Sequence, residues 1–137
     1  MRMEVVALML LMACHSAPPG DPAPVASPVG VEWTLTSLGG QPAGKGAGGK
    51  PATLLLTDIS SRASGFAGCN QFSGTYTLHG TSLAFGPLAM TRMACADGTN
   101  LERSYTMALE QTTSFKVTPK GLELRKGTVL LATFTRP

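Results

Sequence analysis

Three cysteines, Cys14, Cys69 and Cys95, carry most of the chemistry open to this 137-residue chain. A thiolate is a nucleophile and a soft metal ligand, and two thiols can close a disulfide. The sharpest enzymatic reading pairs Cys69 with His79, with Asn70 or Asn100 orienting the imidazole, as in Cys–His–Asn hydrolases. Against it, His79 precedes Gly80 as turn residues do. Nothing around Cys69 matches the local sequences of cysteine proteases. Cys69 and Cys95 are also too far apart for a Cys-Xaa-Xaa-Cys redox motif. Met90, Met93 and Cys95 are ligand types that suit Cu(I). In a strand, however, 93 and 95 share a face while 90 points the other way, and methionine is an ordinary core filler. His15 sits in a proline-rich stretch and His79 stands alone, so no zinc spacing exists. Asp58, Asp97, Glu102 and Glu110 form no acid/base pair. The expectation is no catalytic residue, no metal and no cofactor.

The first cysteine follows an apolar run. Residues 5–13 are too short to span a bilayer, which takes roughly 20 residues, and read as the core of a secretory signal after Arg2. Leu11-Met12-Ala13-Cys14 resembles the bacterial lipobox, in which the Cys receives a diacylglyceryl group and becomes the mature N-terminus. Met12 and the acidic Glu4 depart from the usual pattern. The alternative is a plain secretory signal in which Cys14 is incidental. If Cys14 carries lipid, Cys69 and Cys95 remain as an even pair in an oxidising compartment, and a structural disulfide is expected. Closing a loop of about 27 residues contributes roughly 3.5 kcal/mol in the chain-entropy account.

Residues 14–30 hold Pro18, Pro19, Pro22, Pro24 and Pro28 with no apolar periodicity. They read as a disordered tether reaching up to ~50 Å at ~3.1 Å per residue. Length then allows one folded domain, 31–137. The formal charge of +3 is modest, and losing Arg2 and Glu4 with 1–13 leaves it unchanged. Lys and Arg are scattered with no basic stripe, which argues against nucleic-acid binding. The balance mildly favours an anionic membrane surface.

The elements that must position the cysteines are mostly strands. Val31, Trp33 and Leu35 alternate with Glu32, Thr34 and Thr36, a half-buried strand. Gly39-Gly40 ends it, and 41–50 reads as a flexible Gly-rich hairpin connection, without the ending of a phosphate loop. Strands are expected at 52–58, where Leu54-Leu55-Leu56 suggests burial on both faces, and at 62–68. Residues 74–78 and 82–85 flank the His79-Gly80 turn as a hairpin, and 88–93 should be extended. Thr99-Xaa-Xaa-Glu102 is a capping-box signature. Leu101, Tyr105, Ala108 and Leu109 then give one apolar stripe, predicting a helix over 101–113. Strands at 115–118, 122–124 and 129–134 close the chain as a meander. Trp33 reads as core, and Asn70 as a turn residue accepting left-handed geometry or bonding its own backbone.

The order Gly68-Cys69-Asn70, Gly74, Tyr76, Leu83, Gly86-Pro87 and Thr91-Xaa-Met93-Ala94-Cys95, with Trp33 and Leu35 before and Leu122, Leu124 and Phe134 after, resembles the META/HslJ family of bacterial envelope proteins. The resemblance covers nearly the whole domain. It implies a mainly β, α+β fold: an antiparallel, barrel-like sheet with one packed helix. It implies a role in stress tolerance or envelope integrity. The expected protein is non-catalytic and lipid-anchored at Cys14, sealed by Cys69 and Cys95, and contacts another envelope protein. With His15 rather than Asp after Cys14, lipoprotein sorting rules send it to the outer membrane, facing the periplasm. The alternative is a barrel whose interior holds a small hydrophobic ligand, with Leu54, Leu56, Phe66, Phe85 and Leu131 lining a cavity or a solid core.

Overall fold

The computed structural model describes Cys14, Gly20 and residues 24–137. The signal segment 1–13 and residues 15–19, His15 among them, and 21–23 of the tether lie outside the described residues.

Alternating apolar residues build one antiparallel sheet of ten strands. In chain order they are β1 (Glu32–Leu38), β2 (Gln41–Pro42), β3 (Thr53–Thr57), β4 (Arg62–Phe66), β5 (Gln71–His79), β6 (Ser82–Phe85), β7 (Ala89–Met90), β8 (Ser114–Thr118), β9 (Gly121–Lys126) and β10 (Val129–Thr135). Helix α1 (Thr99–Gln111) lies between β7 and β8. Neighbours run β1-β3-β4-β5-β6-β8-β9-β10, and β10 pairs back onto β1, closing a barrel. A bulge between Leu35 and Ser37 interrupts that last pairing, where Leu35 meets Phe134 and Leu38 meets Ala132. The short β2 and β7 hang off β1 and β5.

The strands point Trp33, Leu54, Leu56, Ala63, Phe72, Leu83, Leu122, Leu124, Ala132 and Phe134 into the core, each 2% exposed or less. Leu54 and Leu56 alternate with a half-buried Leu55, so β3 is fully buried on one face and partly covered on the other. Helix α1 adds its stripe of Leu101, Tyr105, Ala108 and Leu109, packing against β1, β6, β9 and β10. The Tyr105 ring meets Phe72 edge-on at 5.8 Å and Phe134 at 6.0 Å. Side chains thus fill the barrel interior, as expected of a small barrel. Of the residues named as a cavity lining, Leu54 and Leu56 are core, while Phe66, Phe85 and Leu131 remain partly exposed.

Four expectations are corrected. The packed body starts at Pro28 rather than Val31: Pro28 is fully buried, its carbonyl accepts from Trp33 Nε1 at 2.8 Å, and Gly30 N–H donates to Leu56 O at 2.8 Å. The Gly-rich connection is held rather than free, because Gln41–Pro42 pairs with β1 and Ala47 N–H donates to Gly68 O at 2.7 Å. Extended pairing in 88–93 is confined to Ala89–Met90. The helix has no capping box: Gly98 occupies the N-cap, no side chain caps it, and the helix ends at Gln111. Glu102 is instead drawn to a distant backbone donor.

Candidate functional site

Gly68-Cys69-Asn70 is the turn between β4 and β5, closed by Ala67 N–H donating to Asn70 O at 2.9 Å. Three backbones meet over Gly68. A Cβ on Gly46 would lie 2.1 Å from Gly68 O, and one on Gly98 would lie 2.2 Å from the same oxygen. Only glycine permits this approach of the 41–50 segment and the start of α1.

Asn70 is 6% exposed and is a hub. Its Oδ1 accepts from Met93 N–H at 2.6 Å and from Thr91 Oγ1 at 3.1 Å. Its Nδ2 donates to Glu102 Oε2 at 3.2 Å and Met93 O at 3.4 Å. Its N–H donates to Glu102 Oε1 at 2.5 Å. Thr91 also accepts from Gln71 N–H at 3.1 Å. Asn70 therefore needs neither left-handed geometry nor its own side-chain turn, and its φ is not positive. The side chain replaces missing backbone partners for the segment after β7. Two residues beyond Met93, the Cys69–Cys95 disulfide fastens the same segment, with Cα atoms 5.9 Å apart.

The remaining motif residues support this turn. A Cβ on Gly74 would lie 2.7 Å from Pro87 O, so glycine lets the segment between β6 and β7 cross β5. Tyr76 is buried in β5, and its Oη donates to Thr57 O at 2.8 Å. Burial raises its pKa, and the nearby Asp58 charge adds to the shift. Tyr105 Oη donates to Thr53 O at 2.8 Å, and complete burial raises its pKa well above the usual range.

The arrangement does not assemble a Cys–His–Asn triad. Cys69 sulfur is bonded to Cys95. His79 is exposed at the opposite end of β5, about 26 Å away at ~3.3 Å per residue. Met90 packs against the core while Met93 is 61% exposed, so the two thioethers do not converge. Among the described residues, no three His, Cys, Asp or Glu side chains are grouped as a metal site.

Beside the turn lies a cleft of about 460 Å³. Pro51, Phe66, Cys69 and Met93 line its apolar part, and Glu32 and Lys50 its polar part. Sequence reasoning missed this cleft and the Asn70–Glu102 contact. Its residues are spread from 32 to 93, and an acid three residues into a helix reads equally as a cap.

The model of the META domain family matches residues 26–136. The chain belongs to the META domain family. Two solved structures are similar to this META domain. An NMR structure of a protein from Burkholderia xenovorans is 28% identical with a TM-score of 0.60, over 91% of this chain and 97% of that one. A second NMR structure is 26% identical with a TM-score of 0.58, over 77% of this chain and 87% of that one. No curated protein matches the chain. In this META domain the family-like motif residues Gly68, Asn70 and Met93 and both core-domain cysteines meet at one turn.

Proposed function

We propose that this META-domain protein is a non-catalytic lipoprotein of the bacterial envelope, anchored through Cys14 and carried by its proline-rich tether. One observation carries the reading. The Cys69–Cys95 bond consumes two of the three cysteines and leaves Cys14, exposed, as the free one. The lipobox-like Leu11-Met12-Ala13-Cys14 supplies a use for it. An odd cysteine in a secreted protein otherwise needs intermolecular pairing or a reactive role. The anchored protein faces the periplasm from the outer membrane, helps preserve the envelope under stress, and works by contacting another envelope component. Cys14→Ser tests this: the variant should leave the membrane fraction, and full retention there would contradict the anchor.

A second reading, binding of a small hydrophobic ligand, is supported by the cleft beside Met93 rather than by the barrel interior, which side chains fill. Titrating the protein with a labelled hydrophobe, with Met93→Gln as the comparison, tests it.

A further inference from the structure

Met93 does not behave as a loose surface methionine. Its N–H and carbonyl are both bonded by Asn70, Thr91 is bonded on one side, and Cys95 is bridged on the other. Yet its side chain is 61% exposed and lines the cleft with Phe66 and Pro51. Scattered apolar residues on a surface need no explanation. A thioether held on a fixed backbone beside an aromatic ring makes a ready apolar floor, and ordering it again on binding costs little. The polar lining has a second property. Glu32 and Lys50 carry opposite charges, and neither forms an ion pair among the described residues. Both side chains are exposed, so a ligand can reach each of them.

We propose that this cleft binds a zwitterionic amphiphile, a single phospholipid-like molecule with a cationic and an anionic group next to an apolar chain. Glu32 faces the ammonium, Lys50 faces the phosphate, and the first part of the chain lies against Met93, Phe66 and Pro51. A volume of about 460 Å³ suits a headgroup and the start of a chain, leaving the rest in the surrounding membrane or solvent. The mixed rim selects against purely cationic or purely anionic amphiphiles, which meet one like charge each. This site gives the domain a contact with lipid that is separate from the Cys14 anchor. It deepens the hydrophobic-ligand reading and is independent of lipidation.

The probe is lysophosphatidylcholine carrying a photoreactive diazirine in its acyl chain, added to the full-length protein in a non-ionic maltoside. Labelled peptides are located by mass spectrometry. Saturable labelling on the peptides around Lys50, Phe66 and Met93 is expected. Unlabelled lysophosphatidylcholine should compete, and dodecyl sulfate and dodecyltrimethylammonium should compete at least about threefold less well, the scale of one solvated charge contact. Glu32→Gln and Lys50→Gln should each lower labelling about threefold, and Met93→Gln further, with unchanged thermal unfolding. Labelling concentrated at the exposed Met107 and Val129 instead, no saturation, or equal competition by the singly charged amphiphiles would overturn the assignment. The same labelling pattern in Cys14→Ser separates this result from the fate of the anchor.

Discussion

The Glu102 carboxylate, on the first turn of α1, accepts from both the backbone N–H of Asn70 at 2.5 Å and its side-chain amide at 3.2 Å. Two elements 32 residues apart in sequence are joined by this pair. Charge-assisted hydrogen bonds are the strong ones, and leaving buried partners unmade costs more than the bonds return. Asn70→Ala strands the Met93 N–H and half of the Glu102 carboxylate. It should lower unfolding free energy by about 3 kcal/mol. Glu102→Ala should cost about 2 kcal/mol, and the double mutant should show about 1–2 kcal/mol of coupling. Denaturant midpoints of the four proteins check this, and additive losses would mean the pair acts as two separate contacts.

Replacing Cys69 and Cys95 together by Ser removes the covalent link between the β4–β5 turn and the segment that joins β7 to α1. The loop it closes, with a sequence separation of 26, predicts a loss of about 3.5 kcal/mol. Chemical denaturation under non-reducing conditions measures it. A loss below about 1 kcal/mol would show that residual structure in the unfolded chain already restrains this loop.

Two glycines with positive φ should respond differently to alanine. Gly80 has φ +58° with nothing within 4 Å of a Cβ, so Gly80→Ala should cost about 1 kcal/mol from backbone strain alone. Gly98 has φ +92°, and its Cβ would sit 2.2 Å from Gly68 O. Gly98→Ala must push α1 off the turn and should cost at least about 3 kcal/mol. Thermal unfolding of the two variants decides it, and equal losses would mean that contact yields easily.

Both tyrosines of the chain, Tyr76 and Tyr105, are buried with raised pKa values, through burial first in each case. The sign follows from linkage. Above pH ~10 the unfolded tyrosines lose protons while the folded ones keep them. Stability is therefore complete below pH ~10 and falls as pH rises beyond it, by up to ~1.4 kcal/mol per pH unit per tyrosine. Ultraviolet titration should show the Tyr105 phenolate appearing only together with unfolding. Phenolate forming near pH 10 in the folded protein would contradict the burial of Tyr105.

The strand pattern was legible wherever period-2 alternation was strong. Trp33 and Leu35 face inward as read, whereas Leu54-Leu55-Leu56, read as buried on both faces, buries Leu54 and Leu56 and leaves Leu55 half-buried. The helix was legible from Leu101, Tyr105 and Leu109, but its start was not. Glu102 makes a contact with Asn70 that no local signal separates from a cap. The closure of the barrel was legible only through the family resemblance, not from local pattern, because Leu35 of β1 meets Phe134 of β10 across almost the whole domain. Pro28 was hidden for the opposite reason. Its proline-rich surroundings resemble a linker, and only the Trp33 indole N–H reaching its carbonyl marks it as packed. At the candidate site, the cysteine pair was legible by arithmetic. The hub role of Asn70 was not, since its side-chain bonds run to Thr91 and Met93 on the loop after β7 and to Glu102 on the helix.

The first measurement is the intact mass of the protein from its native membrane fraction, before and after reduction with thiol alkylation. An anchored protein with a sealed core should begin at Cys14, carry diacylglyceryl and acyl groups, and take up alkylating reagent only after reduction, at Cys69 and Cys95. A mass without lipid, or alkylation before reduction, would contradict the anchored and disulfide-sealed protein and return a free thiol to the chemistry of the domain.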